Sequence, residues 1–272
     1  MPQITVDDGT DIYYQDVGTG PPIIFLHGGF MNHRVWDRQV AVLEDDYRLV
    51  TPDLRGHGRS HAPANGYEPT RLARDLESLV AGLELEGLTV VGWSLGATIV
   101  TAYLDVTGRE PETVVLTSSG IFQEFADEDD TARGLDVNAL LDQHRSNPPV
   151  GMEAFIEGLF AEAPTEAERR WLWSIGMGTP LRVVLAVLDI YRTVDYGRLE
   201  RALSRTDATV GVFHGAHDGV ASLKAAEYVA DDLVIDGQFV PFDGSGHVPF
   251  LEEPELFTEA IRTVAGLETG SD

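Results

Sequence analysis

The sequence predicts an α/β fold: a mostly parallel eight-stranded sheet with helices on both faces and an inserted all-helical segment. Three observations carry this expectation. Short apolar, β-branched runs alternate with helix-period patterns along most of the chain. The central runs are continuously apolar, as strands buried on both faces must be. The alternation stops between about 122 and 196, where only helical patterns appear.

Taken in order, Ile4–Val6 and Ile12–Val17 flank the turn Asp7-Asp8-Gly9-Thr10 and read as a hairpin, which supplies an antiparallel edge. Further strands are expected at 21–27, 47–53, 88–93, 113–118, 208–215 and 238–243, with helices between them near 33–44, 69–84, 95–107, 220–231 and 253–267. The segment 122–196 holds helical patterns near 134–145, 151–161, 165–175 and 180–192, punctuated by Pro148-Pro149, Pro164 and Pro180. The expected division is a core of 1–121 and 197–272 with a helical lid (cap) at 122–196. A separate second domain is the alternative, and about 70 residues is small for one.

Composition narrows the function classes. The chain has 272 residues, 43% of them hydrophobic, and no cysteine, so disulfides, thiolate chemistry and Cys-ligated metals are excluded. Acidic residues number 45 against 19 basic ones, a formal charge of −26. Such a surface repels nucleic acid and anionic lipid, and neither is an expected partner. Of the basic residues only Lys224 is lysine. Acid excess with scarce lysine predicts a halophilic source, where concentrated salt screens the self-repulsion; arginine bias in a GC-rich organism is the alternative. The opening MPQITVDDGTDIYY has no basic region followed by an apolar run, so no signal peptide is expected, and the expected location is the cytoplasm. The longest uncharged run, Leu88–Leu104, falls just short of a membrane span and contains two glycines, a serine and three threonines. A buried strand turning into a buried helix explains it better.

That run contains Gly92-Trp93-Ser94-Leu95-Gly96, a G-x-S-x-G at a strand-to-helix junction. The pattern alone is weak; the junction makes it informative. A serine on so sharp a turn exposes its hydroxyl, and the glycines remove side chains that would collide as strand and helix approach. The helix start adds N–H groups and a positive dipole end. A helix-capping serine is the competing explanation.

A serine hydroxyl needs a base. Among eight histidines, His247 follows the last strand in a Gly244-Ser245-Gly246 loop, at the carboxyl edge where parallel sheets place their ligands. Asp218 follows the preceding strand at the same edge and can orient the base. Asp243 is a rival, although it shares the loop of His247; Asp189 and Asp195 belong to the insertion. The oxyanion needs preorganised donors. The N–H of Leu95 is one, and the second is expected from His27-Gly28-Gly29-Phe30: Gly29 first, Phe30 as second choice. His27 is expected to brace its loop.

With these residues in view, the chain resembles a lid-bearing α/β-hydrolase-fold enzyme of the esterase, lactonase and haloperoxidase-like group. The resemblance rests on the elbow, HGGF (27–30), Asp53-Leu54-Arg55-Gly56-His57-Gly58-Arg59-Ser60, the G-x-x-D at 215–218 and GHVPFLEEP at 246–254. It implies that Ser94, Asp218 and His247 form a triad in the order of that fold. It also implies structural roles for Asp53, Arg55 and His57. Relatives with an aspartate nucleophile open epoxides or displace halide; a serine implies acyl transfer. The resemblance is imperfect at Ala221, where the family often has proline three residues after the acid.

The expected reaction is cleavage of a carboxylic ester or related acyl bond in a small-molecule substrate, through an acyl-enzyme and without a cofactor. Carbon–carbon bond hydrolysis, lactone opening and cofactor-free haloperoxidase or perhydrolase chemistry are alternatives on the same triad, and a non-catalytic small-molecule receptor is a distant one. Phe30, Trp93, Phe122 and Trp171 are the expected pocket residues; the insertion also holds Phe125, Phe155, Phe160, Trp173, Met177 and Tyr191, most of which are expected to pack between helices. No metal site is expected: His57 and His61 straddle a glycine-rich loop without an acidic ligand. Oligomeric state is left open.

Overall fold

The computed structural model describes residues 2–120 and 136–266. Its sheet has eight strands: β1 (Gln3–Thr5), β2 (Asp11–Val17), β3 (Pro22–Leu26), β4 (Arg48–Pro52), β5 (Thr89–Trp93), β6 (Thr113–Thr117), β7 (Thr209–Gly215) and β8 (Gln238–Phe242). The spatial order is β1-β2-β4-β3-β5-β6-β7-β8. The hairpin β1–β2 and the pair β2–β4 are antiparallel, and every other pairing is parallel. All five residues of β5 and of β6 are buried, which explains their unbroken apolar runs.

Strand order reverses at β3: β4 lies on one side of it and β5 on the other. Right-handed crossovers then send successive helices to opposite faces. α1 (Asp37–Leu43) packs with α11 (Pro254–Val264), while α2 (Pro69–Gly82) and α3 (Leu95–Val106) pack together elsewhere. Under the first pair lies an aromatic cluster in which Trp36 meets Phe250 at 4.4 Å and Phe213 meets Phe257 at 5.5 Å. The reversal opens a crevice beyond the carboxyl ends of β3 and β5, so the loops carrying His27–Phe30 and Ser94 face each other.

Between β6 and β7 the described helices are α4 (Val137–Ser146), α5 (Pro148–Glu157), α6 (Glu166–Gly176), α7 (Leu181–Thr193) and α8 (Tyr196–Leu203). Pro148 and Pro149 sit in the first turn of α5, where the missing N–H costs nothing, and so start that helix. α6 opens with a capping box between Thr165 and Glu168. α8 is absent from the sequence expectation. Its N-cap Asp195 accepts from the Arg198 N–H, and it packs on α3 as part of the sheet layer.

The helix expected over 220–231 begins later, as α9 (Leu223–Tyr228). The reason is local: the Val220 and Ala221 N–H groups donate to Asp218 Oδ1 at 2.8 and 2.9 Å, so the helix waits for its cap at Ser222. A short α10 (Pro249–Glu252) follows β8. Among the described residues no single helix is long and apolar enough to cross a membrane.

Candidate active site

Ser94 links β5 to α3 with φ 53° and ψ −111°, a left-handed conformation costly for a residue with a Cβ. Its side chain makes no capping bond to the helix, which removes the capping explanation. The flanking glycines are required by contact. A Cβ on Gly92 would come within 2.6 Å of the Gly96 backbone, and one on Gly96 would strike the Leu26 carbonyl oxygen. The Ser94 N–H donates to Thr117 O at 3.0 Å, fixing the elbow to β6.

His247 and Asp218 are both buried, with His247 Nδ1 at 2.8 Å from Asp218 Oδ2. The other carboxylate oxygen is consumed by the two backbone N–H groups after it. Burial pushes the Asp218 carboxyl up, but His247, His214 and the Ala221 N–H outweigh it and hold the group below its ordinary value. His214 Nε2 stands 3.6 Å from the same oxygen. Asp243, the rival acid, is exposed.

The histidine loop is held from several sides. The His247 N–H donates to Leu159 O at 2.8 Å, and the Trp93 indole N–H donates to His247 O at 2.8 Å. The Gly246 N–H donates to Glu252 Oε2 at 2.7 Å, and the Ser245 hydroxyl to Glu253 Oε2 at 2.6 Å.

A left-handed serine elbow facing a buried histidine–aspartate pair, at the reversal point of a parallel sheet, agrees with the sequence comparison. Residues 21–254 match the profile described as the alpha/beta hydrolase fold. The chain belongs to the α/β-hydrolase fold family. It is similar to a putative non-heme chloroperoxidase of Synechocystis, 28% identical over 265 residues, covering 91% of this chain and 93% of the relative. An esterase structure from Exiguobacterium antarcticum is similar with 27% identity and TM-score 0.88, covering 97% of this chain and 98% of that one. An esterase structure from a Rhodococcus species is also 27% identical, with TM-score 0.83 and the same coverage.

In this α/β-hydrolase the elbow opens into one cavity shared by Ser94, His247 and Gly29. Phe30, Phe155, Val187, Leu188 and Val220 form apolar walls, and Gly120 and Tyr191 complete the lining. Val187, Leu188 and Tyr191 occupy one face of α7 by their spacing. Tyr191 stands in this lining with Ser94, and burial pushes its phenol up to about 12.

Of the expected pocket residues, Phe30 lines this cavity. Trp93 and Trp171 do not. Strand alternation turns Trp93 away from the side taken by Ser94, and its ring packs against Phe250 at 5.0 Å. A Cβ on Gly28 would lie 2.8 Å from that ring. α6 buries Leu172, Ile175 and Gly176, and Trp171 beside them stands off the cavity. Phe122 and Phe125 lie outside the described residues.

The second-choice oxyanion donor is also corrected. The Phe30 N–H is spent on His57 Nε2 at 3.2 Å. The N–H groups of Gly29 and Leu95 have no acceptor among the described residues.

The Asp53–Ser60 loop braces this region. His57 Nδ1–H donates to Arg55 O at 2.9 Å, leaving Nε2 to accept from Phe30. His27 Nε2 accepts from the Leu54 N–H at 2.9 Å. Burial holds His27 down to about 3 and His57 down to about 4, so both are neutral near pH 7. Asp53 receives the His33 and Arg59 N–H groups and sits 2.6 Å from His33 Nδ1. Arg55 is buried and bridges Asp75 and Asp8 at 2.7 Å each. Among the described residues no three His, Asp or Glu side chains stand close enough to hold a metal ion.

Proposed function

We propose that the chain is a serine hydrolase that cleaves carboxylic esters through an acyl-enzyme. One observation carries this reading: Ser94, strained at the elbow, lines the same cavity as His247, whose Nδ1 is engaged by buried Asp218. His247 takes the Ser94 proton as Oγ attacks the acyl carbon, and then passes it to the departing alkoxide. The N–H groups of Gly29 and Leu95 receive the oxyanion, and water releases the acid by the same route reversed. The carboxylate of Asp218 stabilises the imidazolium formed on the way. Apolar walls suit an apolar acyl or alcohol group, and helices α4–α7 serve as a lid over it. The similar structures named as esterases favour an ester as substrate. The excess of acidic residues is read as salt adaptation, to be checked by a melting temperature that rises with KCl.

The test is Ser94→Ala assayed on short-chain p-nitrophenyl esters. Turnover is expected to fall by at least about 10³-fold with the melting temperature retained. Wild-type rates in that variant would refute the acyl-enzyme.

A further inference from the structure

Phe30 has φ 69°, the left-handed region that a bulky side chain avoids. Such a conformation persists where the surroundings over-determine it. Here both peptide groups of Phe30 are tied. Its N–H donates to His57 Nε2 at 3.2 Å, and its carbonyl accepts from the Thr179 hydroxyl at 2.8 Å. The first tie comes from the sheet layer. The second comes from the turn between α6 and α7, in the inserted helices.

Thr179 is well placed to hold. It is buried, and its own N–H donates to Gly176 O at 3.0 Å. Pro180 follows, restricting the Thr179 backbone to extended conformations. The first turn of α7 is anchored in addition by Arg182, whose Nη2 donates to Ala62 O at 2.6 Å.

What these ties control is Gly29. A glycine has no Cβ to restrict its own dihedrals, so the aim of its N–H depends on the peptides either side. On one side His27 Nδ1–H donates to Gly28 O at 2.7 Å. On the other stands Phe30, pinned at both ends. We propose that Thr179 is a positioning residue for the oxyanion hole, so that the inserted helices complete the catalytic geometry as well as covering it. The proposal rests on the reading of Gly29 and Leu95 as oxyanion donors. Withdrawal of the α6–α7 turn then slackens the Gly29 N–H, and an open enzyme is also a slow one.

Thr179→Val keeps the shape and removes the hydroxyl. Per active site, kcat on p-nitrophenyl acetate is expected to fall about tenfold with KM unchanged, less than the loss of a whole oxyanion donor. Phenylboronic acid, whose serine adduct mimics the tetrahedral oxyanion, weakens by the same factor. Thr179→Ser restores both. A merely structural role would lower the melting temperature and leave kcat per active site and boronate affinity alone. Wild-type kcat in Thr179→Val, or a fall in kcat without a fall in boronate affinity, overturns the proposal. Thr179→Ala carries the same comparison if the valine variant does not fold. The underlying reading fails separately: an active Ser94→Ala refutes the acyl-enzyme, whereas an inactive Ser94→Ala beside a fully active Thr179→Val removes the role of Thr179 and leaves the acyl-enzyme standing.

Discussion

Among the described residues, two buried aspartate–histidine hydrogen bonds have nearly the same construction. Asp53 offers one oxygen to His33 Nδ1 at 2.6 Å and the other to the Arg59 N–H at 2.7 Å. Asp218 offers one oxygen to His247 Nδ1 at 2.8 Å and the other to the N–H groups of Val220 and Ala221. Both follow parallel strands at the carboxyl edge. Both are held below the ordinary carboxylate value, although burial pushes the other way, because histidine and backbone donors outweigh it. Neither the contact nor the shift tells them apart. The difference is what the imidazole meets on its far side. His33 lies against the Tyr13 ring, 5.1 Å away, off the cavity. His247 lines the cavity with Ser94. An aspartate–histidine pair becomes a candidate for catalysis only where the fold also supplies a nucleophile and a space.

The sharpest way to break this comparison is to make one substitution in each pair. Asp218→Asn is expected to lower kcat about 10⁴-fold, because the amide favours the wrong imidazole tautomer, with stability changed little. Asp53→Asn is expected to leave kcat per folded molecule within a few-fold. It removes about 2–3 kcal/mol of stability, since a buried acceptor of several donors is lost. Urea unfolding beside active-site-normalised kinetics reads both, and a catalytic collapse in Asp53→Asn would erase the distinction.

A smaller effect concerns His27 and His57, which have no carboxylate hydrogen bond. Burial depresses both, from an ordinary 6.5 to about 3 and about 4. A depressed histidine means that the unfolded chain binds the extra proton first. Stability is therefore whole above about pH 6.5 and drains as pH falls towards 4, by about 3 kcal/mol for His57 alone. His57→Gln is expected to roughly halve the pH slope of the urea midpoint across that window, His27 keeping its own share; an unchanged slope would count against a neutral His57. The Asp53 and Asp218 contributions are lost only at lower pH, below the ordinary carboxylate range.

The smallest expected effect is that of Tyr191→Phe. Losing the phenol from the cavity wall beside Ser94 is expected to change kcat by about threefold to tenfold, the scale of one polar contact. A loss above about 10³-fold would place Tyr191 among the groups that do the chemistry.

The eight strands were readable because buried parallel strands leave continuous apolar runs, and the elbow because Gly92 and Gly96 face backbone where no Cβ fits. Asp218 and His247 were readable because each follows a strand at the edge where Ser94 stands. The pocket was not. Trp93 sits next to Ser94 in sequence, yet strand alternation puts it on the other face. The period of α7 shows which residues share a face, and nothing in it says that Tyr191 on that face shares a cavity with Ser94. The tie from Thr179 to Phe30 joins positions 149 apart and leaves no local signature. α8 did leave one, an aspartate cap with Leu199 and Leu203 one turn apart, but its brevity hid it.

Trp93, displaced from the pocket, has another use. Of the four tryptophans it is the one whose N–H grips the carbonyl of His247, with its ring 5.8 Å from the imidazole. Indole emission responds to the polarity and quenchers around it, so the loop of His247 carries its own dye. With Trp36, Trp171 and Trp173 replaced by phenylalanine, the arrival of a ligand in the Ser94 cavity is expected to give an optical signal, read in real time from an unlabelled protein.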